Sequence, residues 1–212
     1  MSPLNKSAAI IIISLLSSSA YAISEAYVDS VISFKNAAGA NVSSVTGNNG
    51  SNVLGFTTNV STTLPLGAPG TAKWASVVQG GEAIYGFTGK QATGSIDIYT
   101  IVNGAGEIAK IYGRLGNTGS WSFLGQTDST PNGNFSLAPK QISFALGSGV
   151  VVDQIGIFSQ NNNGYSPGFD IMGIGGNGMV STPVPEPETY ALMGLGLIGL
   201  LAHRRKSSAK NI

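Results

Sequence analysis

The chain has 212 residues, 10% of them charged, with 30 Gly, 9 Pro, no Cys, one His and a formal net charge of +1, a length that holds one folded unit plus accessory segments. Residues 23–183 carry six Lys/Arg against eight Asp/Glu, so the cation cluster that nucleic acid binding requires is missing, and that partner class is excluded. Without Cys there is no disulfide, thiolate nucleophile or sulfur-ligated zinc, and the only imidazole, His203, lies beyond the apolar tail segment, which excludes a Ser-His-Asp triad or His-ligated metal from the folded region.

At the N-terminus, Lys6 precedes the apolar run Ala8 to Leu16, small residues follow, and Ala20-Tyr21-Ala22 closes the segment. A positive start, a short apolar stretch and an A-x-A-like site make a secretory signal peptide. Residues 1–22 are therefore predicted to form a signal helix, cut by signal peptidase after Ala22, with Ala20 and Ala22 filling its small-residue pocket.

Residues 23–180 contain short β-branched or alternating runs separated by Gly, Asn, Ser and Pro. Strands are predicted over 27–34, 53–57, 75–78, 82–88, 95–102, 107–115, 121–126, 141–146, 151–158 and 169–173. Period-two alternation is clearest in Ile96-Asp97-Ile98-Tyr99-Thr100-Ile101 and in Ile108 to Leu115. Turn signals such as Asn103-Gly104, Asn132-Gly133 and Asn163-Gly164 recur between the runs. Short strands at this spacing predict an all-β chain, an antiparallel jelly-roll-like sandwich.

Leu66-Gly67-Ala68-Pro69-Gly70, Gly80-Gly81, Gly94 to Tyr99, Trp121 to Gly125 and Gly168 to Ile171 follow one another in an order that resembles exported discoidin-type jelly rolls, relatives of galactose-binding-like modules. The resemblance spans roughly residues 53–175. It departs from the family at Gly70 and Thr71, which stand where an acidic residue usually follows the Gly-Ala-Pro turn.

Two constellations are candidates for a site. Glu82, Asp97 and Asp170 each stand at or near the start of a predicted strand, and two or three carboxylates with loop carbonyls can hold a structural calcium. The alternative is that the Asp side chains cap turns. No other cofactor is expected. Trp74, Tyr85, Tyr99, Tyr112, Trp121 and Tyr165 offer aromatic faces for sugar rings or for the core. Tyr165, with Asn161, Asn162 and Asn163 beside it in a loop, is the expected carbohydrate contact.

Beyond residue 180 come Val184-Pro185-Glu186-Pro187-Glu188 in a linker over 181–189, an apolar stretch over 190–202, and a basic tail over 203–212 with Arg204, Arg205 and Lys206. As a helix the apolar stretch would cover about 20 Å, a short transmembrane segment against a hydrocarbon core of roughly 30 Å. Its basic flank predicts a cytoplasmic tail. The order resembles the PEP-CTERM sorting signal of Gram-negative bacteria, which implies an exosortase that recognises the Pro-Glu-Pro motif and removes the tail. Pro185 and Pro187 keep Glu186 in extended, accessible chain just outside the membrane.

Together these readings describe a protein exported across the inner membrane, transiently anchored, then left in the cell envelope or extracellular matrix. Its sandwich is expected to be non-catalytic and to associate with exopolysaccharide. A carboxylate-dependent enzyme acting on extracellular polysaccharide is the alternative. The charge-poor, amide-rich composition favours neutral polymers and salt-insensitive binding.

Overall fold

The computed structural model describes residues 23–50, 58–102, 106–128, 136–161, 167–182 and 192–198. Its strands, in chain order, are β1 (Ile23–Tyr27), β2 (Ser30–Lys35), β3 (Ser44–Asn49), β4 (Thr58–Ser61), β5 (Lys73–Val78), β6 (Glu82–Gly86) and β7 (Lys90–Gln91). They continue as β8 (Ser95–Val102), β9 (Ile108–Arg114), β10 (Ser122–Asp128), β11 (Ser136–Ala145), β12 (Gln154–Ser159) and β13 (Gly168–Ser181). One sheet has eight strands, ordered β11-β8-β13-β5-β3-β4, with β1 and β7 also paired to β13; the other has five, ordered β10-β9-β12-β6-β2. The pairs are antiparallel, and the chain is an all-β sandwich.

Period-two alternation decides which side chains meet between the sheets. On β8, Ile96 and Ile98 are fully buried in the core, which places Asp97 and Tyr99 on the outer face. On β9, Ala109 and Ile111 point inward while Lys110, Tyr112 and Arg114 alternate with them. Ile155, Ile157, Phe169, Ile171 and Ile174 complete the centre. Tyr85 sits among them edge-on to Phe34 at 6.5 Å, and its buried hydroxyl donates to Thr62 O at 3.1 Å.

The predicted strand over 27–34 is two strands in two sheets. Val28 N donates to Ile174 O and Asp29 N to Gly86 O, both at 3.0 Å. β1 therefore joins the eight-stranded sheet and β2 the five-stranded one. β3 and β4 were not expected from their polar sequences, and the strand predicted over 53–57 falls outside the described residues. β3 lies so close to β5 that a Cβ on Gly47 would stand 2.2 Å from Trp74 O. β11 begins five residues earlier than predicted, as an edge strand whose register shifts between Ser136 and Lys140, around Pro139.

Residues 192–198 form a helix with Leu192, Met193, Leu195, Leu197 and Ile198 all exposed. At 1.5 Å per residue it spans about 10 Å. Among the described residues no helix is long and apolar enough to cross a membrane, and of the membrane span expected over 190–202 only residues 192–198 are among them. The signal segment, with Ala20 and Ala22, lies outside the described residues, as do the sorting motif from Val184 to Glu188 and Arg204, Arg205 and Lys206.

Candidate functional site

Of the expected carbohydrate contacts only Asn161 is described; Asn162, Asn163 and Tyr165 fall outside. Asn161 is committed internally. Its Oδ1 accepts Ile108 N at 2.6 Å and its Nδ2 donates to Gly106 O at 2.9 Å. It staples the entry of β9 to the exit of β12, and its amide is spent on backbone rather than offered to a ligand.

The three acids expected to hold calcium are not brought together. Glu82 stands on the five-stranded sheet in an ion pair with Lys35. Asp97 and Asp170 are on the eight-stranded sheet, 1% and 0% exposed. Asp97 Oδ2 accepts Asn177 Nδ2 at 2.6 Å, while Asp170 lies on β13 opposite Ser76. Among the described residues no group of three or more Asp, Glu, His or Cys can hold a metal ion.

Outside the eight-stranded sheet, Tyr27 and Tyr99 pack with ring centroids 6.1 Å apart, and Tyr99 OH donates to Glu25 at 3.0 Å. Burial and then the Glu25 bond push the Tyr99 hydroxyl well above its ordinary pKa; burial, with Glu25 next, raises Tyr27 as well. These groups close β1 over Gly175, where an added Cβ would stand 3.1 Å from the Glu25 carboxylate. Tyr99, one of the aromatic residues considered for a sugar ring, is thereby engaged in holding the first strand.

The outer face of the five-stranded sheet is organised differently. β9 presents Lys110, Tyr112 and Arg114 along one line. Register sets Phe123 of β10 beside Tyr112, and sets Phe158 and Gln154 of β12 beside Lys110 and Arg114. The Tyr112 ring lies 5.3 Å from Phe123 and 5.2 Å, edge-on, from Phe158. Trp121 crosses toward β12 over Gly156, where any Cβ would meet its ring at 3.2 Å and Phe158 at 3.0 Å. Arg114 Cζ sits 4.4 Å over the Trp121 ring. Its Nε donates to Gln154 Oε1 at 2.8 Å, and Gln154 Nε2 donates to Asn117 Oδ1 at 2.8 Å.

Phe123, packed on Tyr112, is 57% exposed; Ile32, 41% exposed, lies on β2 at the opposite edge of the same sheet and apart from this group. The solvent side of an antiparallel sheet is ordinarily polar, and a contiguous apolar patch there marks an interaction surface. Tyr112 and Trp121 were among the aromatics considered from sequence. Phe123 and Phe158 were not, because only the pairing register reveals that they join them. A separate cavity of about 230 Å³ opens near Phe34, Val42, Val45 and Val78, and no acid or His lines it.

The stretch that follows β13 decides where the protein goes. Residues 183–206 match the PEP-CTERM protein-sorting motif. The PEP-CTERM motif indicates export with a C-terminal sorting signal and implies exosortase processing. No curated protein matches the chain. Among solved structures, a family 35 carbohydrate binding module from an environmental isolate is 13% identical over 76% of this chain and 98% of that one, with a TM-score of 0.39. The module CpGH89CBM32-6 produced by Clostridium perfringens is 14% identical over 68% of this chain and 99% of its own, at 0.38. Carbohydrate binding module CBM6cm-2 from Cellvibrio mixtus lichenase 5A, in complex with cellotriose, is 12% identical over 77% and 100%, at 0.34. These scores are low, and the fold rests on the strand pairing described above.

Proposed function

We propose that this PEP-CTERM protein is a non-catalytic polysaccharide-binding module of the cell envelope or extracellular matrix, and that it holds its polymer on the outer face of the five-stranded sheet. The observation that carries the reading is the aromatic group of exposed Phe123 with half-buried Tyr112, Phe158 and Trp121 on a face where a sandwich needs no aromatics for its core. Aromatic rings pack against the CH faces of sugars, and the neighbouring exposed amide of Asn117 suits their hydroxyls.

The route follows from the two ends. Signal peptidase cleavage after Ala22 would free Ile23, the residue at which β1 begins. The sandwich is complete at Ser181, just before the sorting motif. The apolar segment would then be a temporary anchor, and an exosortase would cut near Pro185 to Pro187. Hydrolysis by carboxylates draws no support from the acids singled out in sequence, since Glu82 is ion-paired and Asp97 and Asp170 are buried on the other sheet. The test is affinity electrophoresis of the protein secreted by producing cells through gels loaded with their polysaccharide. Retardation without release of reducing ends is expected; free migration, or depolymerisation, would remove the reading.

A further inference from the structure

We infer that the polymer held on the five-stranded face is an acidic polysaccharide, its ring carboxylates taken by Lys110 and Arg114 while its CH faces rest on Tyr112, Phe123 and Trp121. The inference rests on the polysaccharide-binding reading and names the ligand's chemical class.

The two cations stand on one side of one strand with an aromatic ring between them. Four residues of strand separate them, about 13 Å. Among the described residues the one ion pair is Lys35 with Glu82, so neither Lys110 nor Arg114, both half-exposed, is tied up in one. Asp153, which precedes β12, turns its carboxylate to Gly116 N at 2.7 Å instead. Lys35 and Glu82 offset one another at the β2 edge, and register sets Asp128 of β10 opposite Ile108, in line with Lys110, so the strands that bear the aromatics carry Lys110 and Arg114 against Asp128, although residues 23–183 as a whole are net negative.

Arg114 is also held in place. Trp121 lies beneath its guanidinium at 4.4 Å, and Gln154, itself bonded to Asn117, takes its Nε. The Nη groups make no hydrogen bond within the described residues, which leaves one planar edge of the fork for a carboxylate. A side chain fixed before binding loses little entropy when the ligand arrives.

A second copy of the chain fits this face poorly. A two-fold contact would set the cationic line against its own equivalent, and like charges juxtaposed across an interface are repelled. A uronate chain supplies both complements, a weakly polar ring face and a carboxylate, at repeated intervals. The composition as a whole points to salt-insensitive association, whereas this local arrangement makes the binding salt-dependent.

The test measures retardation of the secreted full-domain protein by alginate and polygalacturonate, by the same polymers after carboxyl reduction, and by dextran, with polyglutamate as competitor. Uronate polymers should retard it, and carboxyl reduction or the pair Lys110→Gln and Arg114→Gln should weaken this by about tenfold or more, as should about 0.5 M NaCl. Arg114→Lys keeps the charge but loses the fork, and should bind between the two, with unchanged near-UV circular dichroism confirming the fold. Equal binding of reduced polymer or of dextran would overturn the acidic specificity while leaving the polysaccharide reading standing. Competition by polyglutamate as strong as by soluble alginate would overturn it in favour of an acidic protein partner, and failure to bind any of the polymers would remove both.

Discussion

Val28 and Asp29 are adjacent in the chain, and their N–H groups donate to opposite sheets, Val28 to Ile174 O and Asp29 to Gly86 O, each at 3.0 Å. The crossing is secured by the Asp29 carboxylate, which accepts Thr88 N at 2.9 Å and Thr88 Oγ1 at 2.7 Å. Both bonds are charge-assisted but solvent-accessible, so Asp29→Ala should lower unfolding free energy by about 1 to 2 kcal/mol in urea. Asn at this position should recover part of the loss. A variant as stable as the parent would show that the crossing is held by backbone pairing alone.

Strands whose character is set by their own side chains were legible in sequence. β8 was read with its observed bounds because Ile96 and Ile98 alternate with Asp97 and Tyr99, and β9 within one residue for the same reason. The first strand was read as continuous because Tyr27 to Phe34 stays apolar and β-branched on either side of the sheet change. β3 was missed because Ser-Val-Thr-Gly-Asn-Asn has strand form only through its partners β4 and β5. β13 was read only to Gly173, since Gly173 to Gly178 looks like a loop until β1, β7 and β8 are seen to pair along it. The aromatic face was half legible: Tyr112 and Arg114 follow from alternation, whereas Phe123 reaches it through a register that shifts between Phe123 and Gly125.

Gly47→Ala tests the close approach of β3 to β5. The new methyl would meet Trp74 O, a backbone atom, at 2.2 Å and Val60 Cγ2 at 2.4 Å. The Trp74 carbonyl cannot yield without moving a strand, and Val60 would have to leave its rotamer, so a loss of roughly 2 kcal/mol or more is expected in thermal or urea unfolding. Near-parental stability would mean that β3 has room to shift.

Alkaline pH should unfold the sandwich through its tyrosines. Burial raises the pKa of Tyr85, and burial with Glu25 raises that of Tyr99. The folded state thus keeps its protons where the unfolded chain releases them, at an ordinary tyrosine pKa of about 10. Stability is fully present below that pH and falls as pH rises above it. Circular dichroism and tyrosinate absorbance should change together. Tyr99→Phe removes one titrating group and should flatten the decline; an unchanged slope would assign the alkaline limit to Tyr85 and other groups.

Processing should leave Ile23 at the mature N-terminus, because Ala20 and Ala22 suit signal peptidase, and should remove the tail near Pro185 to Pro187. Mass spectrometry of the exported protein reads both ends. Glu186→Ala, or deletion of the exosortase, should leave an intact tail and membrane-bound protein. Intact Lys6 on exported protein would defeat the first expectation, and unaltered mass in the Glu186 variant the second.

Phe123 and Trp121 separate binding from stability on the aromatic face. Phe123 is 57% exposed, and its described ring contact is with Tyr112, at 5.3 Å. An aromatic pair contributes about 0.5 to 1.5 kcal/mol beyond area burial, so Phe123→Ala, which also uncovers the smaller part of the side chain, should cost the fold about 1 to 2 kcal/mol. If the ring packs against sugar, the same change should weaken retention on the producing cell's polysaccharide by about 1 to 3 kcal/mol, the scale of an aromatic side chain's apolar burial. Trp121 instead covers Gly156 and lies beneath Arg114. Trp121→Ala should therefore weaken stability and retention together, since it uncovers the strand and frees the guanidinium. The decisive comparison is retention against unfolding free energy for both variants. Retention that tracks stability across the pair would make the face a packing surface; retention lost in Phe123→Ala while the domain stays folded marks it as the surface that meets the polymer.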